Sequence, residues 1–264
     1  MPDFLKKIYD LTAERIAQAQ KTVSAQQLQN SPMFARKPHN VKAAFANNDC
    51  NIIAEIKFAS PSEGIIHQNG NHVPIAKSYL KAGASMLSIL TEPLYFKGNL
   101  DYLKAVREAC PDALLLRKDF IIDPYQLLEA KAYGADAVLL IVAMTAPALT
   151  RQLYEKALTL GLTPLLEVHD EADLDQALAL GADFIGVNNR NLKTLKIDLE
   201  TSRRLAARKP KGAVFICESG LSKPEDVRAM RELGFDGFLM GSHFMRQADP
   251  GKALQELKDN LKCA

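Results

Sequence analysis

At 264 residues the chain is long for one ordinary domain and short for two. A hydrophobic share of 47% with 24% charged residues describes a globular protein with a full-size core, which excludes intrinsic disorder, collagen and disulfide-rich miniature folds. The net charge of +2 leaves no broad cationic surface, so composition argues against a nucleic-acid partner. Four scattered cysteines (Cys50, Cys110, Cys217, Cys263) without a CxxC pair read as reduced thiols. The opening residues do not read as a signal peptide and no apolar run reaches membrane-spanning length, so the expectation is a cytoplasmic protein that makes no membrane contact.

Residues 1–50 carry the spacing Phe4, Ile8, Leu11, Ile16, which predicts an amphipathic helix, with a second near Val41–Asn47. We read them as an extension packed on a single domain spanning 51–264. From residue 51 onward, short apolar runs alternate with helical periodicity: Asn51–Ile56, Ser85–Leu90, Ala113–Leu116, Asp136–Ile141, Thr163–Val168, Asp183–Val187, Ala213–Cys217 and Asp236–Met240. Most are continuous rather than alternating, as expected of parallel strands covered on both faces. The segments between them have recognisable helix ends. Asp123-Pro124 supplies an N-cap with proline at the first helical position, and Ser222-Lys-Pro-Glu225 reads as a capping box. Asp170 caps a helix with the stripe Leu174, Ala177, Leu178. Gly83, Gly134, Gly181 and Gly234 each end a helix before the second, fourth, sixth and eighth strand, a period of roughly 50 residues. Two βα units per repeat, four times over, make a closed (β/α)8 barrel of the α/β class, the TIM barrel. An open doubly wound sheet fits less well, because the first strand runs into KFASPSEG and no GxGxxG follows it.

Side chains alternate along a strand, so Ile53, Glu55 and Lys57 share one face. The same parity groups Leu114, Leu116 and Lys118, then Thr163, Leu165 and Glu167, then Val214, Ile216 and Glu218. Each row is apolar until an ionisable group ends it. If the rows face the barrel interior, strands one, three, five and seven bring these charges into one ring at the mouth, where they shift one another's pKa values. The competing reading, solvent-facing rim salt bridges, does not require four strands to select the same face.

Asn188, on the interior face of strand six, offers a donor and an acceptor together, and Arg190 can fork onto an anion; a polar turn accounts for the pair equally well. Glycine turns at Glu218-Ser219-Gly220 and Gly241-Ser242-His243 follow strands seven and eight, the usual place of a phosphate grip in such barrels, with plain strand-to-helix turns as the alternative. The loop from Ser60 to about His72 has the length of a lid. Phe58, Phe96 and Phe120 stand just past the first three strands, where they can wall an aromatic substrate or pack into the core. His67, His72, His169 and His243 have no metal-ligand spacing and read as solvent-facing or turn residues.

Taken in order, AEIKFASPSEG (54–64), LTEPLYFKG (90–98), LLRKDFIIDPYQLLEAKAYGADAVLLI (115–141), LLEVHD (165–170), IGVNNRNL (185–192), ESGL (218–221) and GSHFM (241–245) resemble the indole-3-glycerol phosphate synthase family over essentially the whole chain. The resemblance implies ring closure of 1-(2-carboxyphenylamino)-1-deoxyribulose 5-phosphate with loss of carbon dioxide and water. That is a carbon–carbon lyase of tryptophan biosynthesis, working without metal or organic cofactor. It also implies catalytic positions at Glu55, Lys57, Lys118, Glu167, Asn188 and Ser219, and phosphate-binding positions at Gly220, Gly241 and Ser242. Ser60 lies close to the latter, Arg190 and Glu218 match further motif positions, and Phe96 and Phe120 complete the expected substrate-binding set. GSHFM stands where a GEALM-type ending is frequent, which leaves His243 unexplained.

In the expected chemistry Lys118, with a depressed pKa, protonates the alkoxide formed on ring closure. Lys57 holds the substrate carboxylate, while Glu55 and Glu167 hold the lysines and accept a proton as the indole aromatises. Which lysine serves which step stays open. Two other readings use the same barrel: a Schiff-base aldolase with Lys118 or Lys57 as nucleophile, and a non-catalytic phosphosugar-binding protein. The expected working form is a monomer, with at most weak association with other enzymes of its pathway.

Overall fold

The structure, a computed structural model, describes residues 3–45, 50–68 and 71–262. Eight parallel strands close into one barrel: β1 (Asn51–Ile56), β2 (Met86–Leu90), β3 (Leu115–Lys118), β4 (Ala137–Ile141), β5 (Thr163–Val168), β6 (Phe184–Asn188), β7 (Val214–Glu218) and β8 (Gly237–Met240). Each pairs with its neighbours in the chain, and β1 joins both β2 and β8. Two strands match their expected bounds and the rest move by one or two positions. The largest move is β3, which starts later and runs through Lys118. There the Lys118 carbonyl accepts Thr91 N–H at 3.1 Å, so pairing with β2 continues to the lysine.

Helix α1 (Asp3–Thr22) and the short α2 (Ala25–Gln29) precede the barrel. Its outer layer is α3 (His72–Lys81), α4 (Leu100–Ala109), α5 (Pro124–Ala132), α6 (Pro147–Thr159), α7 (Glu171–Ala179), α8 (Glu200–Ala206) and α9 (Pro224–Glu232). A single turn, α10 (Ser242–Met245), and the closing helix α11 (Pro250–Lys262) complete it. No helix among the described residues is long and apolar enough to cross a membrane.

Helix ends follow the local chemistry. The Asp123 side chain accepts from Tyr125 N–H at 2.7 Å, and Asp170 from Asp173 N–H at 2.9 Å. The expected Ser222–Glu225 box is corrected by one residue: Asp226 turns back to accept the N–H groups of Ser222 and Lys223, both at 2.9 Å. Gly83, Gly134, Gly181 and Gly234 hold φ of 82°, 89°, 76° and 93°, the left-handed conformation that ends a helix without a Cβ clash.

Two residues past Gly134, Asp136 organises the amino-terminal pole. Fully buried, it takes Arg107 and Arg36 guanidinium groups and the N–H groups of His39 and Leu115. These contacts tie the segment before the barrel to its base. Along α1 the buried stripe is Leu5, Ile8, Thr12 and Ile16, with Leu11 half-buried. Near Val41 there is a 3-10 turn over Lys42–Phe45 in place of the expected helix. The Phe4 side chain, Ala46, Asn47 and Cys263 lie outside the described residues.

Candidate active site

At the carboxyl ends of the strands the barrel opens into a cavity of about 880 Å³, counting its solvent-open part, a normal size for a small-molecule site. Its lining includes Glu55, Lys57, Ser60, Phe96, Lys118, Phe120, Glu167, Asn188, Arg190, Glu218 and Ser219. Leu90, Leu139, Ile141 and Leu239 from the even-numbered strands supply apolar floor, and Leu5 of α1 reaches the same space. Gly220, Gly241 and Ser242 do not line it but lie beside it. Gly220 follows Ser219, and a Cβ on Gly241 would come 2.5 Å from Glu55 Oε2.

The charged ring is interior, not a solvent-facing rim: Glu55, Glu167 and Glu218 are 4%, 2% and 1% exposed. Its members sort into two groups. Lys57 Nζ lies 2.9 Å from Glu55 Oε2. Lys118 Nζ donates to Glu218 Oε2 at 2.6 Å and to Glu167 Oε2 at 3.1 Å.

Burial alone would pull the Lys118 pKa down, but Glu218, Glu167 and Glu55 together hold it above the ordinary lysine value. The depressed pKa expected of Lys118 is therefore overturned, because three carboxylates outweigh desolvation. Burial also opposes ionisation of Glu167, yet Lys118, His169 and Asn188 keep that carboxyl well below the usual range. Glu218 goes the other way. Burial is the largest effect, Lys118 opposes it, the neighbouring Glu167 and Glu55 carboxylates reinforce it, and the pKa is pushed up to about 7. Among the described residues Glu218 Oε1 has no hydrogen-bond partner, and it packs against Gly186, where a Cβ would overlap it.

The loops that frame this centre are shaped by their own polar side chains. Glu92 accepts the N–H groups of Leu94, Tyr95 and Phe96 at 2.8, 2.7 and 3.0 Å, which curls the loop after β2. Phe96 is thereby set beside Phe120, ring centroids 6.1 Å apart. Phe58 does not join them; it packs edge-on against Tyr102 outside the cavity. After β7, Ser219 and Gly220 take φ of 65° and 86°. A left-handed serine is strained by about 1–3 kcal/mol, and the Asn189 amide holds it there by donating to the carbonyls of Glu218 and Ser219 at 3.0 and 3.1 Å. Asn188 Oδ1 accepts Arg190 N–H at 3.0 Å. The loop after β1 begins as a small hairpin pairing Ala59–Ser60 with Gly64–Ile65, and its Asn69 and Gly70 lie outside the described residues.

The family model for indole-3-glycerol phosphate synthase matches residues 5–257. This chain belongs to the indole-3-glycerol phosphate synthase family. The synthase of Bordetella pertussis is 46% identical over 264 residues, spanning 97% of this chain and 99% of the relative. That of Laribacter hongkongensis is 45% identical over 262 residues, with 97% and 99% covered. Among solved structures, 3-hexulose-6-phosphate synthase from Salmonella typhimurium superposes with a TM-score of 0.65 at 16% identity, over 81% of this chain and 99% of that one. At that identity the likeness shows the shared barrel alone.

Within this synthase-family site, sequence reasoning missed several residues. His169 is the clearest. Far from facing solvent, its ring lies 3.2 Å from Glu167 Oε1 and 3.5 Å from Asp173 Oδ2, and although burial disfavours the imidazolium, those two carboxylates push its pKa up to about 9. Extending the alternation of Leu165 and Glu167 by one step lands on it. Asp119, fully buried, pairs with Arg15 of α1 at 2.7 Å and with Arg117 at 3.0 Å. Those guanidinium groups overcome its burial and hold its pKa at about 2. His67 and His72 are also not free turn residues: His67 Nδ1 meets the Met245 carbonyl at 2.8 Å, and His72 stacks on Tyr102. His243 is half-buried, edge-on to Phe244.

Proposed function

We propose that this chain closes the indole ring of 1-(2-carboxyphenylamino)-1-deoxyribulose 5-phosphate, releasing carbon dioxide and water, as a carboxy-lyase of tryptophan biosynthesis. The observation that carries the proposal is the Lys118 ammonium, held on two buried carboxylates of opposite proton affinity at the floor of a cavity walled by Phe96 and Phe120.

Ring closure turns a ketone oxygen into an alkoxide, which needs a proton donor in place. Lys118 is that donor: it is charged when substrate arrives, and Glu167 and Glu218 fix its direction. Lys57, steadied by Glu55, holds the substrate carboxylate until carbon dioxide leaves, and then faces the departing hydroxyl as its acid. A general base works best with a pKa near the operating pH. Glu218, at about 7 and with one oxygen unpartnered, fits this role and takes the proton released as the ring aromatises. Glu167, held far below that range, anchors Lys118 instead, and Asn188 supports it. Ser219 sits at the strained turn, and Ser60 and Arg190 line the same cavity. The backbone turns at Gly220 and Gly241–Ser242 receive the phosphate.

A Schiff-base mechanism requires a neutral amine, and the carboxylates around Lys118 favour its charged form, so borohydride with substrate should trap no adduct on Lys118. A mere phosphosugar binder would not need these buried acid and base groups. The buried free thiols of Cys110 and Cys217 support a reducing cytoplasmic setting. The 1–50 extension belongs to the working unit with the 51–264 barrel, because Leu5 reaches the cavity and Arg15 holds Asp119 beside Lys118. Turnover of the substrate by the purified chain, followed through the fluorescence of the indole product, tests the proposal; absence of turnover would refute it.

A further inference from the structure

The loop after β1 folds back across the turns assigned to the phosphate and places a carboxylate there. Ser242 Oγ donates to Glu63 Oε2 at 2.7 Å, and the Arg246 guanidinium lies 3.5 Å from Glu63 Oε1. One residue earlier, Ser62 Oγ accepts from Arg190 Nη1 at 3.1 Å. Two successive loop residues thus engage the serine and the arginine expected to meet an anionic substrate. The Glu63 side chain is only 17% exposed, although Ser62 and Gly64 on either side are exposed, so it is turned inward onto these donors. A carboxylate and a phosphate compete for the same hydrogens, and at contact distance they repel one another.

We propose that Glu63 is a built-in competitor for the substrate phosphate, occupying Ser242 and Arg246 until a phosphate displaces it and so setting which anions the site accepts. The inference rests on Ser242, Gly220 and Gly241 forming the phosphate site. It deepens that reading by naming what the phosphate must exchange with. A ligand with a singly charged carboxylate offers Ser242 no more than Glu63 already does. A phosphate dianion with three acceptor oxygens offers more, so the exchange selects phosphorylated ligands. Once Glu63 leaves, Arg246 is released toward the anion. The apparent affinity of a site equals its intrinsic affinity scaled by the fraction of time it is competent. If Glu63 is seated about nine-tenths of the time, phosphate binding weakens about tenfold.

The test uses the full chain and inorganic phosphate. Backbone amide NMR reports where the ion binds, through the Gly220 and Ser242 signals, and titration gives the dissociation constant for wild type, Glu63→Ala and Glu63→Gln. The expected result is that both amides respond in all three proteins, that phosphate binds about tenfold tighter to Glu63→Ala, and that the substrate KM falls in the same direction. If the amides respond but both variants bind phosphate no tighter than wild type, the competitor role is overturned and the phosphate site stands. If neither amide responds in any protein, the phosphate assignment fails and the competitor role fails with it.

Discussion

In Glu218→Gln the buried carboxyl becomes an amide of nearly the same shape that cannot ionise. The wild-type group has a pKa of about 7 when folded against an ordinary value of 4.5, so between those values the native chain binds more protons than the unfolded chain. Stability therefore falls as pH rises through that window, and below it the burden is absent. At about 1.4 kcal/mol per pKa unit, ionised Glu218 destabilises the fold by about 3 kcal/mol above pH 7. The amide does not carry that burden. For a chain of this size, where each kcal/mol moves the Tm by about 2–4 °C, the variant should melt roughly 6–12 °C higher at pH 8 and within a few degrees of wild type at pH 5. Its turnover should fall by about 10²–10⁴, because the base is gone. Circular-dichroism melts at the two pH values, beside the fluorescence assay, measure both effects. A variant less stable than wild type at pH 8, or a Tm gap independent of pH, would refute the reasoning.

His169→Gln tests the group behind Glu167. The His169 pKa of about 9 lies above its ordinary 6.5, so its stabilising charge is complete below pH 6.5 and is lost as pH rises through about 9. The variant should lose roughly tenfold in turnover at pH 7 through misplacement of Glu167 and Lys118, and the gap should close above pH 9. A gap constant across the pH range would mean that the imidazolium charge plays no part. At the opposite pole, Asp136→Ala leaves the buried Arg107 without its carboxylate and should destabilise the fold by about 3–5 kcal/mol in denaturant titration. Its turnover at 25 °C should stay within about twofold of wild type, since catalysis in such barrels resides at the other end. A large loss of turnover without loss of stability would contradict that separation.

The barrel was legible because its parallel strands are buried on both faces and appear as continuous apolar runs, and because four helices end at glycines with positive φ. The interior ring was legible for a simpler reason: Glu55, Lys118, Glu167 and Glu218 each keep the parity of the apolar residues before them. Parity says nothing of proton affinity. Glu167 and Glu218 end equivalent rows, yet one is held ionised by Lys118 with His169 and Asn188, and the other is raised by burial and by the Glu167 and Glu55 carboxylates beside it. Those are distances across the barrel, invisible along the chain. Phe58 could not be told from Phe96, because only the curl imposed by Glu92 decides which ring faces the mouth. Short pieces such as α2 and the 3-10 turn at Lys42–Phe45 carry too few residues for a periodic signal.

Lys118→Met examines the acid itself, keeping most of the side chain's length and apolar contact while removing its charge. The measurement is the single-turnover rate with enzyme in excess, set beside the substrate dissociation constant from fluorescence titration. The account predicts that ring closure slows by about 10² or more while binding weakens by no more than about tenfold. Ring closure within a few-fold of wild type would remove Lys118 from the chemistry, and with it the proton donor on which the proposed reaction depends.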